Sequence, residues 1–279
     1  MINSIDHLII VVKDLNTAVK NYQKVLGIDP VWEGEHKELG TANALFNFKN
    51  TYLELLSAND EGPGASLVND TLDKSGEGLA GIVFGSEDIN KTRNLLKEKD
   101  FNIDMPSEGE GINLANQAIR KWKNLFLPSE LTRGLFSFII EHTQGELPST
   151  EPCSDDSINK LDHVVINTND ANGFIDIYKD VFGIRLALDK VIEHWNSRIL
   201  FFRTNKTTIE VIEKNDDKDP FDSLWGLAWE VESIEKAHKR LSKEGVEVTD
   251  IKNGIKENTL VATIKSHTNN VPTLLIEHT

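Results

Sequence analysis

The sequence predicts an α+β protein built from two tandem modules, each made of two βαβββ units. An internal repeat carries this prediction: residues 5–10 read Ile-Asp-His-Leu-Ile-Ile, and residues 161–166 read Leu-Asp-His-Val-Val-Ile. A glutamate repeats at the same spacing: Glu54 and Glu210 are 156 positions apart, as are His7 and His163. Ile-Glu-His-Thr then closes both copies, at residues 140–143 and 276–279. Self-similarity at a fixed offset indicates a duplicated module.

Each copy opens with one strand and one helix. The apolar runs at 5–12 and 161–167 predict buried strands. Asp14 and Asp170 follow at positions suited to a helix N-cap, where a carboxylate accepts unpaired backbone N–H groups. The helices are expected to end near Gly27 and Gly183. Three short strands then follow in each copy, near 30–35, 42–48 and 51–57 and near 185–193, 197–203 and 207–213.

The same pattern restarts within each copy. A strand at 79–84 leads to a helix at about 88–99, and a strand at 226–231 leads to a helix at about 233–244. The offset between the copies then falls from 156 to 136, so the first copy has about 20 additional residues between Asn102 and Leu125. This insertion is expected to form either a flexible lid or a plain surface loop.

A segment rich in proline, serine, threonine and acidic residues separates the copies. We predict an N-terminal module at residues 1–143, a linker at 144–159 and a C-terminal module at 160–279, sizes that suit two domains. Cys153, the single cysteine, lies in this linker and is expected to be an incidental thiol rather than a nucleophile.

The composition excludes several classes of partner. The 30 Lys and Arg residues against 45 Asp and Glu give a net charge of −15, which would repel nucleic acid and anionic membranes. No apolar run approaches the roughly 20 residues that span a bilayer, and the first strand begins too early for a signal peptide. We therefore expect a cytoplasmic monomer or homodimer that binds a small molecule. The sequence has no Cys-x-x-Cys, phosphate-loop, nucleophile-elbow or dinucleotide-glycine motif.

A group of motifs in the first copy resembles a known family. His36 opens the string His-Lys-Glu-Leu-Gly-Thr-Ala-Asn, Glu54 follows in Tyr-Leu-Glu-Leu, and residues 136–142 read Phe-Ser-Phe-Ile-Ile-Glu-His. With the paired βαβββ units, these motifs resemble the vicinal oxygen chelate (VOC) superfamily, and within it the glyoxalase-like domain subgroup. The resemblance covers nearly the whole chain. It implies that each module curls a mixed sheet into an open cup with flanking helices.

The resemblance also implies a set of metal ligands in each cup, from its first, fourth, fifth and eighth strands. The implied ligands are His7, Glu54 and Glu141 in the first cup and, more weakly, His163, Glu210 and Glu277 in the second. The fifth-strand position, commonly histidine in metal-dependent members, falls on Gly81 and Gly226. One aligned histidine per cup does not supply the two histidines that a non-haem iron dioxygenase needs. One divalent Zn, Mn or Ni ion and no metal at all both stay open.

Further side chains are candidates for substrate binding. His36 would either face the first cup or remain a solvated loop residue, and Asn43 would either bind a substrate oxygen or satisfy a turn. Arg120 and Trp122 lie in the insertion, and an arginine suits a carboxylate or phosphate. The alternation of Arg120 with lysines fits a solvated basic face equally. Because residues 193–195 of the second copy lack the Gly-Thr-Ala-Asn string, the first cup is the better candidate.

Two functional hypotheses follow. In the first, the protein acts on a small oxygenated metabolite by metal-assisted lyase or isomerase chemistry, with Glu54 and Glu141 as catalytic carboxylates. In the second, it binds or sequesters a small molecule without metal, as resistance proteins of the superfamily do. A carboxylate between apolar neighbours is costly unless it is compensated, so Glu54 favours a polar site under either hypothesis. The fold alone does not choose between them.

Overall fold

The computed structural model describes residues 2–150, 154–193, 197–204, 207–214 and 219–279. Both modules contain the predicted order of a strand, a helix and three strands, twice over. The first module has strands β1 (Ser4–Val11), β2 (Trp32–His36), β3 (Thr41–Asn47), β4 (Tyr52–Ala58), β5 (Gly78–Gly85), β6 (Ser107–Asn113), β7 (Ile119–Phe126) and β8 (Phe136–Gln144). Its helices are α1 (Leu15–Leu26), α2 (Pro63–Ser75), α3 (Ile89–Lys97) and the short α4 (Ser129–Thr132).

The second module repeats this order. Its strands are β9 (Ile158–Thr168), β10 (Arg185–Ile192), β11 (Ser197–Arg203), β12 (Thr208–Glu213), β13 (Asp222–Val231), β14 (Lys252–Asn253), β15 (Thr259–Ile264) and β16 (Thr273–His278). Its helices are α5 (Ala171–Ile175), which continues as a π-helical segment over Asp176–Val181, and α6 (Ile234–Lys243).

The predicted helix caps of the two opening helices are confirmed. The Asp14 carboxylate accepts the backbone N–H of Thr17 at 2.7 Å, and the Asp170 carboxylate accepts that of Gly173 at 3.0 Å. Helix α1 ends at Gly27, whose φ of 71° is the left-handed conformation that glycine adopts without a steric penalty. The N-caps therefore mark where the two opening helices begin.

The first sheet closes into a barrel with the strand order β1-β4-β3-β2-β6-β7-β8-β5. Closure depends on the pairing of β2 with β6, in which Gly34 lies opposite Asn113. Strands β6 and β7 lie where the sequence predicted an insertion, and their counterparts in the second module are β14 and β15. This segment forms neither a flexible lid nor a plain loop: it is a hairpin that completes the wall of the first cup. It holds only part of the predicted 20 additional residues, because the offset already falls from 156 (52 to 208) at β4 and β12 to 145 (89 to 234) at α3 and α6. Helix α2 lies between these points, and the described part of the second module has no counterpart to it.

The second sheet has eight strands in the order β10-β11-β12-β9-β13-β16-β15-β14. Its strand β14 contains only two residues, and among the described residues it pairs with β15 and not with β10. The second cup therefore stays open at the edge where the first one is closed.

A shared apolar core joins the two modules. Phe84 packs against Tyr178 with 6.0 Å between ring centroids, and Phe48 packs against Trp229 with 4.7 Å. A buried ion pair adds a polar contact, because Arg133 of the first module donates to Asp222 of the second at 2.8 Å. No helix within the described ranges has the length and apolar character needed to cross a bilayer.

Candidate functional site

The parallel pair of strands β1 and β4 brings polar side chains into the first cup. Alternate residues of a strand share one face, so His7, Ile9 and Val11 point to the same side. Ile9 and Val11 belong to the apolar cluster inside the cup, and His7 lies beside Tyr52 in the strand register. His7 is 3% exposed and Glu54 is 7% exposed. The same face of the sheet therefore carries an imidazole and a carboxylate in an otherwise apolar interior.

Each ring nitrogen of His7 lies near a carboxylate. Its Nδ1 lies 2.7 Å from the Asp6 carboxylate, and its Nε2 lies 3.4 Å from Glu54 Oε2. The Asp6 carboxylate only accepts hydrogen bonds, so His7 Nδ1 carries a proton and donates it to Asp6. The ring also stacks on Tyr52 with 4.5 Å between centroids. Nε2 is therefore the ring nitrogen that faces Glu54.

Asn43 links Glu54 to His36. Its Nδ2 donates to Glu54 Oε1 at 2.7 Å and lies 3.4 Å from His36 Nε2. The His36 Nδ1 is 2.9 Å from Thr41 Oγ1. Burial lowers the pKa of His36, although the Glu54 charge opposes this shift. His36 is therefore a neutral side chain of the cup wall rather than a solvated loop residue.

Asp6 joins His7 to a second histidine. His142 belongs to β8, the last strand of the first module, and its Nε2 lies 3.1 Å from the Asp6 carboxylate. Burial opposes ionisation of Asp6, yet hydrogen bonds from His142 and His7 outweigh it and hold the pKa of Asp6 below its ordinary value. Asp6 is thus a carboxylate shared by two imidazoles.

Arg120 and Trp122 reach the same interior from strand β7. The Arg120 Cζ lies 5.6 Å from the Trp32 ring centroid and 5.5 Å from that of Tyr52, and its Nη2 lies 3.5 Å from His142 Nδ1. Arg120 is 6% exposed, so it does not belong to a solvated basic face. Trp122 meets the edge of His36 at 5.6 Å between ring centroids.

The structure does not bring Glu141 to this cluster, although the sequence predicted it as a ligand and catalytic carboxylate. Its Oε2 accepts the backbone N–H of Ile89 at 2.7 Å, at the start of helix α3. Glu277 does the same for Ile234 at the start of α6, also at 2.7 Å. The reason is strand alternation: His142 shares the cup face of β8 with Ile140, and Glu141 points to the helices.

The fifth strand supplies no polar ligand. Gly81 lies opposite Ile9 in the register, and the residue beside His7 is Val83, which belongs to the apolar cluster of the cup. In the second module Ala228 lies beside His163. Apolar residues therefore occupy the place where metal-dependent members carry a histidine.

The donor atoms of the first cup do not fit a metal centre with three protein ligands. Across the described residues, the only trio of His, Cys, Asp or Glu donors within 4.8 Å of one another is Asp162, Glu230 and His278 in the second module. There the Lys160 ammonium already lies 2.7 Å from Glu230. In the first cup the close contacts are pairs, such as His7 Nε2 with Glu54 Oε2, and no third donor among the described residues completes a trio, whereas catalytic zinc sites usually have three protein ligands.

Comparison with known proteins agrees with the fold and with the repeated strand order. Residues 5–182 match the family described as Glyoxalase-like domain, and residues 162–263 match the Glyoxalase/Bleomycin resistance protein/Dioxygenase superfamily. The chain belongs to the glyoxalase-like domain family. Among curated proteins, none matches its sequence significantly.

Several solved structures share the fold of this glyoxalase-like protein across both modules. A mutant of 4-hydroxymandelate synthase from Streptomyces coelicolor has a TM-score of 0.70 at 15% identity, covering 99% of this chain and 92% of that one. A hypothetical protein from Staphylococcus aureus has 0.66 at 12%, covering 99% and 100%. The Mn(II)-bound glyoxalase from Novosphingobium aromaticivorans has 0.64 at 14%, covering 99% and 82%. At these identities the similarity concerns the fold alone.

The second glyoxalase-like module repeats the histidine contacts in a more exposed setting. His163 lies 2.7 Å from Asp162 and 3.1 Å from Glu210, and His278 lies 2.6 Å from Asp162. The His163 side chain is 17% exposed, against 4% for His7. The second-copy counterpart of the His36 string includes His194 and Trp195, which lie outside the described residues, as does Cys153.

Sequence reasoning missed Asp6, His142 and Tyr52 as members of the site. A signal for the first two was present, because Asp-His and Glu-His recur in both copies. The Asp before each first-strand histidine and the His after each last-strand glutamate make the same contact twice. For Tyr52 the signal was its place two residues before Glu54, on the same strand face.

Proposed function

We propose that this glyoxalase-like protein is an enzyme that transfers a proton on a small oxygenated metabolite bound in the first cup. The observation that carries the proposal is the buried contact of His7 Nε2 with Glu54 Oε2 at 3.4 Å. Each partner also has a hydrogen bond that holds its orientation, His7 with Asp6 and Glu54 with Asn43. An acid–base pair that is preorganised in this way is typical of lyases and isomerases, which remove and return a proton.

The contacts of the cup suggest a role for each group. Because Nδ1 donates to Asp6, His7 Nε2 is free to take a proton from a C–H bond next to a carbonyl or hydroxyl carbon. Glu54 receives or returns the proton at its Oε2. Burial raises the pKa of Tyr52 well above its ordinary value, so its hydroxyl stays protonated. Tyr52 would donate this hydrogen to the oxygen on which negative charge develops.

The proposed chemistry uses side chains alone. The sequence implied a divalent ion held by His7, Glu54 and Glu141, but the Glu141 carboxylate caps helix α3 and Val83 stands beside His7. Two donor atoms are a weak basis for a resident ion. No step of the proposal therefore passes through a metal.

A second candidate function is binding without chemistry. The apolar fifth strand and the aromatic lining of the cup favour it, since Phe138 and Tyr52 both contact His7. Under this candidate the His7 and Glu54 contact fixes the orientation of a bound molecule and moves no proton.

Exchange with deuterated water separates the two candidates. The protein is incubated in deuterated buffer with a panel of small hydroxy and oxo compounds, and C–H signals are followed by proton NMR. The proposal expects catalysed loss of one C–H signal, abolished in His7→Ala. Binding detected by calorimetry without exchange for any bound compound would overturn the enzymatic proposal and support the second candidate.

A further inference from the structure

We propose that the molecule bound in the first cup is a small carboxylate, and that Arg120 binds its carboxyl group. This inference rests on the proposed function and names the substrate class of the same site. It starts from a buried guanidinium that pairs with no carboxylate among the described residues, in a cup where Asp6 and Glu54 already have other partners.

Arg120 has an incomplete set of partners. Its Nε is buried and makes no hydrogen bond in the described part of the chain. The rest of the guanidinium has two neutral partners, His142 Nδ1 at 3.5 Å from Nη2 and the Tyr52 hydroxyl, which accepts a hydrogen bond. The two nearby carboxylates have other partners. Asp6 contacts His7 and His142, and Glu54 contacts Asn43 and His7. A buried cation without an anion is costly, so the site is complete only when an anion is bound.

Arg133 shows how this chain compensates a buried guanidinium when no ligand is involved. Its Nε and Nη1 bond the carboxylates of Asp222 and Asp170 at 2.8 and 3.2 Å. Arg120 is buried to a similar extent but has aromatic rings in place of those acids. The rings of Trp32 and Tyr52 orient the guanidinium without neutralising its charge.

The geometry favours a carboxylate over a phosphate. One guanidinium presents a planar pair of donors that matches the two oxygens of a carboxylate. The neighbouring Lys121 points away from the cup, because its ammonium pairs with Glu110 at 2.9 Å and its side chain is 47% exposed. Lys121 therefore adds no second positive charge at this position to balance a phosphate dianion.

Tyr52 places the bound carboxylate next to the reacting carbon. Its ring is stacked on His7 and also lies 5.5 Å from Arg120 Cζ, so one small molecule can reach both groups. Asn43 Oδ1 is buried and makes no hydrogen bond within the described ranges, and it would accept the hydrogen of a substrate hydroxyl. These positions fit a 2-hydroxy or 2-oxo acid, whose carboxyl group adjoins the oxygenated carbon.

Titration of the intrinsic tryptophan fluorescence tests the inference, because Trp32 and Trp122 both lie in the first cup. The probes are glycolate, lactate, pyruvate and 2-oxobutyrate, their methyl esters, and inorganic phosphate. We expect the wild-type protein to bind at least one acid about tenfold or more tighter than its ester, as expected for a hydrogen bond to a charged group. Arg120→Gln should remove this preference, and the matched control Lys121→Gln should retain it.

Four results would overturn the inference: equal binding of acid and ester, tighter binding of phosphate, no binding of any acid, or an unchanged preference in Arg120→Gln. If Arg120→Gln does not fold, the comparison of acid and ester in the wild-type protein decides alone. The proton-exchange assay, with His7→Ala as its inactive control, separates this inference from the proposed function. A preference for acids without proton exchange would contradict only the enzyme, and exchange without that preference would contradict only the carboxylate.

Discussion

His7 and Glu54 face each other inside the first barrel, with Nε2 3.4 Å from Oε2, and His163 and Glu210 repeat the contact at 3.1 Å in the second module. The duplication has preserved the pair while its surroundings have changed. In the first module the hairpin of β6 and β7 closes the wall around the pair and adds Arg120 and Trp122. In the second module β14 is too short to close the sheet. The same two side chains therefore have a buried setting in one copy and an open one in the other.

Glu141 is expected to contribute to stability and not to chemistry. Its carboxylate accepts the Ile89 N–H at the start of α3, where the helix dipole also favours a negative charge. Glu141→Ala should lower the free energy of unfolding by about 1 kcal/mol, in the range of other helix-cap losses. Urea denaturation measures this, and proton exchange should stay within twofold of wild type. A large loss of exchange with normal stability would place Glu141 in the mechanism after all.

Asp6 is expected to make folding stability depend on acid pH. Its pKa is below the ordinary 3.8 in the folded protein, so its contribution is present above that value and is lost as the pH falls below it. Asp6→Asn should therefore be less stable than wild type near neutrality, and the difference should shrink in acid. Thermal unfolding as a function of pH measures the difference. A difference that stays constant down to pH values well below 3.8 would refute the assignment.

Asp162→Asn is the matched control for Asp6. Asp162 bridges His163 and His278, and hydrogen bonds from these two histidines lower its pKa although burial opposes the shift. The two variants should show the same trend of stability with pH. Only Asp6→Asn should reduce proton exchange, because only Asp6 orients the histidine of the first cup.

Gly109 is expected to be necessary for the position of Trp122. A Cβ atom on Gly109 would lie 2.3 Å from Trp122 Nε1, so Gly109→Ala must displace the indole ring. We expect a red-shifted tryptophan emission and weaker ligand binding. The double variant Gly109→Ala with Trp122→Leu should recover stability, because the smaller side chain removes the clash. If the double variant does not recover stability, Gly109 is needed for the backbone conformation of β6 instead.

Removal of metal ions is expected to leave the protein unchanged. The first cup brings together two ligand atoms rather than three, so no ion should be needed for folding or for proton exchange. Dialysis against a chelator should shift neither the thermal midpoint nor the exchange rate, since a tightly bound ion would stabilise the folded state. Lost exchange that returns on addition of Zn²⁺, Mn²⁺ or Ni²⁺ would contradict the metal-free assignment.

Much of the fold could be predicted from the repeat. Strand and helix order follow from apolar periodicity and capping residues, which are local properties, and Asp14 and Gly27 lie where such properties place them. The closure of the first barrel could not be predicted. Closure depends on pairing between β2 and β6, which are far apart in sequence. The alternation of glycine and glutamate around Gly109 is also compatible with a loop.

The candidate site was predictable where one strand face could be read directly. His7 and Glu54 share the cup because each strand keeps a regular alternation through apolar neighbours. Glu141 was placed wrongly, because at the end of β8 both Glu141 and His142 are polar and the sequence does not show which one faces inward. Asp6 was missed since its role depends on His142, which is brought to it only by the fold.

We propose the His7 and Glu54 pair of the first cup as the chemical centre, and not its copy in the second module. The direct measurement compares proton exchange in deuterated water for Glu54→Gln and Glu210→Gln, each checked for unchanged thermal stability. We expect Glu54→Gln to lose exchange by about 100-fold or more, the usual contribution of a general acid or base. Glu210→Gln should keep the wild-type rate. Wild-type exchange in Glu54→Gln, or loss of exchange in Glu210→Gln, would show that the chemical centre lies elsewhere.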